Sequence, residues 1–347
     1  MIICAFGRTF FVSAVAAAIA LAAANLAPAR AQDSGHDAAA AATRQKLTIR
    51  FTWKLVAYYT PLFVALDRGY YAAEGLDVNL AEGSGAETVV QLLANGNDQV
   101  AYGPATVAAE AVSRDLPVTV VAVYMPKVPI GLVSFPDVPL RTPKDLEGRK
   151  LGLTVGETFS NMLVPFARIN NVDLTKVTKV QLDNSVRNSQ FISRKVDIMS
   201  IYLNDQVPLL EQKLGMKFNT MNVADFGLSL LGQGFLVNNQ FAKTSPDMIR
   251  KMLRATAKGY ADTFKDPGAA IEIMSRHMTV KLDADVMAAQ LKVTLDATPV
   301  PNGKPLGWQD EALWQANLDL LKQTVRIDHV KDLNLYYTNE FLQDAMN

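Results

Sequence analysis

The stretch FTWKLVAYYTPLFVALDRGYYAAEGLDV, residues 51–78, contains the end of one predicted strand, a helix and the start of a second strand. Residues 46–53, KLTIRFTW, alternate apolar and polar side chains, which is the period of a β-strand. Thr60 is placed to cap a helix that starts at Pro61 and ends before Gly69. The sequence LDVNL then alternates again. The stretch therefore predicts a strand–helix–strand unit.

The same pattern recurs along the chain. GAETVVQLLANG and PATVAAEAVSRD predict helices, and DQVAYG and PVTVVAVY predict strands. A second series begins at RKLGLTV and continues through SNMLVPFARIN, VTKVQL, VRNSQFISRK and VDIMSIY. Strands that alternate with helices pair in parallel through right-handed crossovers. We therefore expect an α/β protein of two lobes, each with a mostly parallel sheet flanked by helices.

Two chain crossings are expected between the lobes. The Pro-rich segment YMPKVPIGLVSFPDVPLRTPKDLEG separates the two series, and SLLGQGFLVNN is typical of a returning strand. This predicts that residues 46–126 and 230–347 form lobe 1 with a helical tail, and that residues 127–229 form lobe 2. Crossings near residues 124–129 and 226–234 predict a hinge, because hinges are a few loop residues that absorb a rotation.

The N-terminus has the pattern of a secretory signal. An alanine-rich apolar run follows Arg8 and ends at ARA, a small-x-small pattern before Gln32. We predict that residues 1–31 are a cleaved signal peptide and that residues 32–45 are a disordered leader. An uncleaved membrane anchor is the alternative. The single cysteine, Cys4, precedes the cleavage point, so we expect a mature chain with neither a disulfide nor a lipidated cysteine.

Composition argues against several classes of protein. The chain has 34 basic and 34 acidic residues, so its charge suggests neither nucleic acid nor an anionic membrane as a partner. Its three histidines, His36, His277 and His329, are scattered, and no metal-ligand spacing, nucleophile elbow or phosphate loop is present in the sequence. We therefore expect no catalytic residue, no metal and no cofactor.

In an open parallel sheet, ligands bind beyond the carboxyl ends of the strands. The residues that follow those ends form the predicted ligand site: Trp53, Tyr58, Tyr59, Ser84, Gly85, Tyr102 and Tyr124 in lobe 1, with Glu157, Thr158, Tyr202, Asn204 and Asp205 in lobe 2. Alternatives remain open for five of them. Trp53 fits the wall of the cleft and the core equally well. Ser84 and Gly85 also suit a helix N-cap. Glu157 and Asp205 also suit a solvated rim.

The sequence resembles a known family in several runs that occur in the expected order. They are AYYTPLFVALDRGYYAAEGLDV, LLANGNDQVAYG, PKDLEGRKLGL, ISRKVDIM, GFLVNNQFAKTSPDMIRKMLRATAKGYADTFKDPGAAIEIM and YYTNEFL, spread over residues 46–342. They resemble the periplasmic substrate-binding proteins of ABC importers, in the family for nitrate, sulfonates, taurine and thiamine-pyrimidine precursors. The resemblance implies a type II two-lobed, hinged protein, periplasmic and monomeric, that captures a small molecule and delivers it to an inner-membrane permease.

The resemblance leaves other functions open. Some relatives synthesise the thiamine pyrimidine. Their reaction resembles one that needs a cysteine cluster and an active-site histidine, and the predicted mature chain has no cysteine. A chemoreceptor accessory protein would use the same cleft. Among ligands, a flat heterocycle such as a thiamine-pyrimidine precursor or a flavin is favoured by the aromatic residues, since rings stack on them. A small anion is the alternative, although Lys54 and Lys127 are the cations of the first-lobe loops and Glu157 and Asp205 oppose them.

Overall fold

The computed structural model describes residues 44–154, 157–183, 185–300, 302–324 and 326–343. The predicted signal peptide and residues 32–43 of the predicted leader lie outside the described residues. The leader prediction is wrong at its end, because the first strand already begins at Gln45. The chain from Arg44 onward forms one compact unit with two five-stranded sheets. Within the described residues, no helix is long and apolar enough to cross a membrane.

The strands of the described residues are β1 (Gln45–Phe51), β2 (Leu76–Ala81), β3 (Val100–Pro104), β4 (Val118–Val123), β5 (Ile130–Ser134), β6 (Lys150–Thr154), β7 (Thr178–Leu182), β8 (Ile198–Tyr202), β9 (Asn219–Asn222) and β10 (Gln233–Asn238). The α-helices are α1 (Thr60–Asp67), α2 (Tyr70–Ala73), α3 (Ala86–Ala94), α4 (Ala105–Ser113), α5 (Thr158–Ile169), α6 (Arg187–Ile192), α7 (Gln206–Leu214), α8 (Asn239–Thr244), α9 (Pro246–Lys265), α10 (Pro267–His277), α11 (Ala284–Asp296) and α12 (Glu311–Gln323).

The two sheets have the same design. The first has the order β2-β1-β3-β10-β4 and the second β7-β6-β8-β5-β9. In each sheet four strands run in one direction and one runs against them, β10 in the first and β5 in the second. Each reversed strand is the one that follows a crossing between the sheets. The expectation of a two-lobed α/β fold with mostly parallel sheets is confirmed.

The opening stretch folds as expected in outline, with one correction. Alternation along β1 buries the Ile49 and Phe51 side chains completely. The helix α1 begins at Thr60 itself, after a 3-10 turn over Ala57–Tyr59. Thr60 does not cap this helix, because its hydroxyl donates to the Ala57 carbonyl at 2.6 Å instead. Gly69 ends the helical segment with φ 73°, a left-handed conformation that favours glycine.

The sequence patterns missed β5 and β9. All five residues of β5 are buried, so the strand is a short continuous apolar run without alternation, and it lies inside the Pro-rich segment. The strand β9 has the polar sequence NTMN and carries no strand signal. Both lie next to one another in the second sheet, where tertiary pairing stabilises them.

The two crossings run side by side as a hydrogen-bonded ribbon. The Gly232 amide donates to the Met125 carbonyl, and the Val128 amide donates to the Leu230 carbonyl, each at 2.9 Å. An apolar cluster also runs from the helices of the first lobe through the crossing at Leu231 into the helix α5 of the second lobe. The ribbon lies where the sequence predicts the hinge, and hinge motion stays a prediction.

Candidate functional site

A pair of tyrosines follows β1 in the 3-10 turn Ala57–Tyr59, called here the tyrosine turn. The Tyr59 ring stacks on Phe51, with ring centroids 3.9 Å apart, and is fully buried. The Tyr58 hydroxyl donates to the Tyr59 hydroxyl at 3.0 Å. Burial raises the pKa of Tyr58 well above its usual value and raises the pKa of Tyr59 to about 12. Both phenols are therefore neutral at physiological pH; Tyr59 is buried in the core, whereas Tyr58 is partly exposed.

Asp205 of the second lobe faces these hydroxyl groups. It follows β8 in the loop of residues 203–205, called here the Asp205 loop. Burial raises the pKa of Asp205, and the positive charge of Arg187 partly opposes this. The negative charge of Asp205 in turn contributes to the raised pKa values of Tyr58 and Tyr59. The tyrosine turn and the helix α7, which follows the Asp205 loop, both pack against helix α11.

Glu157 is buried in an ion pair. Its Oε2 accepts from the Ser200 hydroxyl at 2.5 Å, and its Oε1 lies 3.4 Å from Nη1 of Arg187. The side chains of Glu157 and Arg187 are only 8% and 6% exposed. The solvated rim position considered for Glu157 is therefore wrong. A buried carboxylate needs such partners, because an unpaired charge is costly away from water.

Arg187 is a site residue that the sequence reasoning missed. It begins α6, directly after the loop that follows β7, and its guanidinium also donates to the Gln206 side chain. The sequence signal that marks Arg187 is its position as the first helical residue after a second-lobe strand. Cations at such positions can reach the cleft as well as cations in the loops. Close by, the Thr158 and Tyr202 hydroxyl oxygens lie 3.4 Å apart. The pKa of Tyr202 is raised by burial, and the hydrogen bond with Thr158 and the positive charge of Arg187 oppose this only in part.

The helix α11 is the third element of the site. It packs against both the tyrosine turn and the helix α7, which follows the Asp205 loop. Nε2 of Gln290 donates to the Asp205 carbonyl at 2.8 Å and to its Oδ1 at 3.1 Å. Nδ2 of the buried Asn204 lies 3.5 Å from the Thr294 hydroxyl. Sequence reasoning assigned this segment to a helical tail, and no local signal marks Gln290.

Three predicted site residues lie in the core of the first lobe: Tyr59, which stacks on Phe51, Tyr102 and Tyr124. Tyr102 and Tyr124 are 0% and 1% exposed, so this conformation does not bring them to the cleft surface. The Tyr102 hydroxyl pairs with the Tyr260 hydroxyl at 2.8 Å, and the Tyr124 ring stacks on the Tyr260 ring at 4.6 Å. The physical reason is that Tyr260, carried by helix α9, packs against both residues. These rings form the layer beneath Tyr59, whose centroid lies 6.0 Å from that of Tyr102.

The loops after β1 and β2 are tied together. The Gly85 amide donates to the Thr52 carbonyl at 2.9 Å, and Gly85, with φ 135°, occupies the N-cap position of α3. Ser84 is exposed and makes no capping hydrogen bond. The Trp53 side chain is 55% exposed, because the chain bends after β1 ends. It does not enter the core, so it is available at the surface for stacking.

The cation Lys54 is neutralised by its surroundings. Its ammonium group pairs with Glu82 at 3.0 Å, and Glu82 also accepts from the Leu55 amide at 2.9 Å. These partners lower the pKa of Glu82, with the Leu55 amide contributing most. Lys127, the other first-lobe cation, is exposed. Within the described residues, no group of three or more His, Cys, Asp or Glu side chains is arranged to hold a metal ion.

A cavity of about 660 Å³ lies elsewhere, at the amino end of β3, with Asp98, Asn239 and Lys243 in its lining. No predicted site residue lines it. The groups that meet at the carboxyl ends of the strands are instead hydroxyls, two carboxylates and one guanidinium. Such a set suits hydrogen bonding and orientation of a small polar molecule.

The two sheets, the paired crossings and this polar cluster between the lobes define a two-lobed substrate-binding protein of the periplasmic type. Residues 56–270 match the family model described as NMT1/THI5 like, and the chain belongs to that family. The aliphatic sulphonate binding protein SsuA from Escherichia coli shares the fold, with a TM-score of 0.64 at 18% identity over 84% of this chain and 91% of that chain.

Curated relatives include binding proteins and a synthase. The riboflavin-binding protein RibY of Chloroflexus aurantiacus is 25% identical over 91% of each chain. The formylaminopyrimidine-binding protein of Halalkalibacterium halodurans is 27% identical over 78% of this chain and 83% of its own. A 4-amino-5-hydroxymethyl-2-methylpyrimidine phosphate synthase of Legionella pneumophila is 24% identical over 67% of this chain and 73% of its own. The two binding proteins cover more of the chain than the synthase does.

Proposed function

We propose that this protein is the solute-binding component of an ABC-type importer that captures a flat heterocycle bearing N–H groups, such as a thiamine-pyrimidine precursor or a flavin. The observation that carries the proposal is that helix α11 packs against both the tyrosine turn of the first lobe and the helix α7 of the second, while its Gln290 holds Asp205 by hydrogen bonds. Relatives that bind a formylaminopyrimidine and riboflavin support the ligand class.

The proposed binding mode uses one set of groups from each lobe. Trp53, exposed beside the tyrosine turn, offers a ring on which a heterocycle can stack, a contact worth about 1–3 kcal/mol by alanine substitution in nucleic-acid binders. Asp205 accepts hydrogen bonds from ring or exocyclic N–H groups, and the Tyr58 oxygen, whose proton is donated to Tyr59, accepts another. Because the groups come from both lobes, a ligand between them favours the closed arrangement.

A small anion such as taurine or nitrate is a second candidate, since Arg187 lies at the site. Against it, Arg187 is already paired with Glu157 and bonded to Gln206. Asp205 adds a second carboxylate nearby. A site with two acidic groups and one committed cation is a poor host for a bare negative charge, because the anion would gain little net attraction.

Carriage without chemistry is the proposed mode of action. His277 lies beside Asp67 and packs on the Phe63 ring, so it belongs to the contact between α10 and α1. The cluster at the cleft offers hydrogen-bond donors and acceptors for recognition. We further propose export to the periplasm after cleavage before Gln32, docking to an inner-membrane permease, and a monomeric state.

The test is a calorimetric titration of the purified protein with four probes: 4-amino-5-hydroxymethyl-2-methylpyrimidine, riboflavin, taurine and nitrate. We expect one heterocycle to bind and to be recovered unaltered by chromatography. The Tyr58→Phe variant should weaken it about 2- to 13-fold, the equivalent of one hydrogen bond. Tyr70→Phe is the matched control, because it also removes a tyrosine hydroxyl bond, to Asp262, outside the site.

The Glu157→Gln variant separates the two ligand classes. It removes one negative charge beside Arg187 while it keeps the side-chain volume. If the ligand is an anion, this change should tighten its binding, because Arg187 is released from its ion pair. Tighter binding of taurine or nitrate by Glu157→Gln, with no heterocycle bound by the parent, would reject the proposal. Conversion of a probe to product would restore the synthase alternative.

A further inference from the structure

Gln290 is the residue of α11 that forms hydrogen bonds to Asp205. Its side chain is 1% exposed, and both hydrogen bonds of its Nε2 go to Asp205. Its Oε1 has no hydrogen-bond partner among the residues that the structure describes. A buried amide oxygen without a partner is costly, because it has lost its hydrogen bonds to water, and native proteins contain few of them. This oxygen therefore calls for a partner that the described residues do not supply.

The position of Gln290 limits what that partner is. Its helix packs against the tyrosine turn on one side and against α7 on the other, so Gln290 lies where the two lobes meet. The amide orientation is determined by its neighbour, because turning the carboxamide over would point Oε1 at the Asp205 carbonyl and carboxylate. With Nε2 committed to Asp205, the group left to interact with a ligand is an acceptor.

We propose that Gln290 is a specificity-determining residue of the ligand site, where Oε1 accepts a hydrogen bond from an N–H group of the ligand and Nε2 holds Asp205 in place to accept a second. This inference rests on the proposed function and narrows its ligand class. Two neighbouring acceptors match a ligand edge with two donors, as an aminopyrimidine has in its exocyclic amine. A flavin imide presents one N–H between two carbonyl oxygens, and those oxygens would oppose a second acceptor.

The experiment combines one substitution in the protein with one change in the ligand, so that four affinities are measured. The probes are 4-amino-5-hydroxymethyl-2-methylpyrimidine and the same molecule without its 4-amino group, each titrated into the parent and into Gln290→Met, which keeps the volume and removes both polar atoms. The parent should bind the amino compound at least about tenfold more tightly than the deaminated one, and Gln290→Met should lose most of that ratio. The ratio of the two affinities does not change on partial unfolding of the variant, because both ligands bind the same folded fraction.

Thr294→Val is the matched control for the role of α11 in holding the lobes together. It removes the Asn204–Thr294 contact one helical turn away and should lower both affinities by the same factor. The proposal is overturned if Gln290→Met leaves the ratio unchanged, whether both affinities fall or neither does. It is also overturned, with the proposed function intact, if riboflavin binds and the aminopyrimidine does not. Binding of none of these probes would count against the proposed function itself and against this inference with it.

Discussion

Gly259 is a point of close approach between α9 and α1, and its replacement by alanine tests how the tyrosine turn is positioned. A Cβ atom at Gly259 would lie 2.3 Å from the Pro61 carbonyl oxygen and 2.8 Å from Cβ of Ala65. Ordinary contact begins near 3.4 Å, so the two helices would have to separate by about 1 Å. Pro61 follows the tyrosine turn by two residues, so this shift is transmitted to Tyr58 and Tyr59.

The magnitude follows from two opposing effects. Alanine is favoured over glycine inside a helix by about 1 kcal/mol. Overpacking a close contact costs about 1–3 kcal/mol, and the upper end applies here because a backbone carbonyl cannot rotate away. We expect Gly259→Ala to lower the free energy of unfolding by about 2 kcal/mol. For a chain of this size that lowers the melting temperature by roughly 3 °C.

The assay is thermal unfolding followed by far-UV circular dichroism, with Gly268→Ala as the control. Gly268 is exposed in the first turn of α10, and a Cβ there would approach no closer than 3.5 Å to Asp266 Oδ1. The control should be neutral or stabilised by up to about 1 kcal/mol. If Gly259→Ala melts at or above the parent temperature, helix propensity outweighs the close contact and the reasoning about this packing is refuted.

Four further predictions concern the site, the hinge and export. Burial raises the pKa of Asp205, so the folded state loses stability as pH rises from the ordinary aspartate pKa through the raised one. Asp205→Asn should therefore melt above the ligand-free parent at pH 7, and this gain should shrink toward pH 4; a gain that is absent or independent of pH would contradict the assignment. Arg187→Leu leaves the buried Glu157 with Ser200 as its remaining partner, so the free energy of unfolding, measured by chemical denaturation, should fall by about 3 kcal/mol. Most of this loss should be recovered in the double variant with Glu157→Gln. Additive losses would show that the two side chains are not coupled. Saturating ligand should reduce the radius of gyration in small-angle scattering, and an unchanged radius would reject the hinge prediction. Intact-mass measurement of the exported protein should give Gln32 as its first residue, and a retained N-terminus would reject the predicted cleavage.

The repeating strand and helix patterns were sufficient to predict the architecture, because side-chain periodicity reports which face of an element is buried. Alternation in residues 46–53 predicted β1, and the glycine at position 69 predicted the end of α1. The strand β5 was not predicted because a strand buried on both faces shows no alternation of apolar and polar side chains. The resemblance placed the chain in its class, and the family match confirmed it.

The site was predicted in part, for a physical reason. Position after a strand end indicates which loops reach the cleft, and this brought together Tyr58, Glu157 and Asp205. It does not indicate which side chains a later helix will cover, so the burial of Tyr102 and Tyr124 beneath α9 was decided by tertiary packing.

The residues that the sequence reasoning missed were decided by contacts distant in sequence. Gln290 reaches Asp205 from 85 residues away, and Arg187 reaches Glu157 from 30 residues away. The sequence by itself determined the periodicity, the order of the elements and the absence of thiols from the chain after Cys4. Which charges are paired, which aromatic rings are exposed and which helix completes the site depend on side chains brought together from separate elements, and only the tertiary structure decided them.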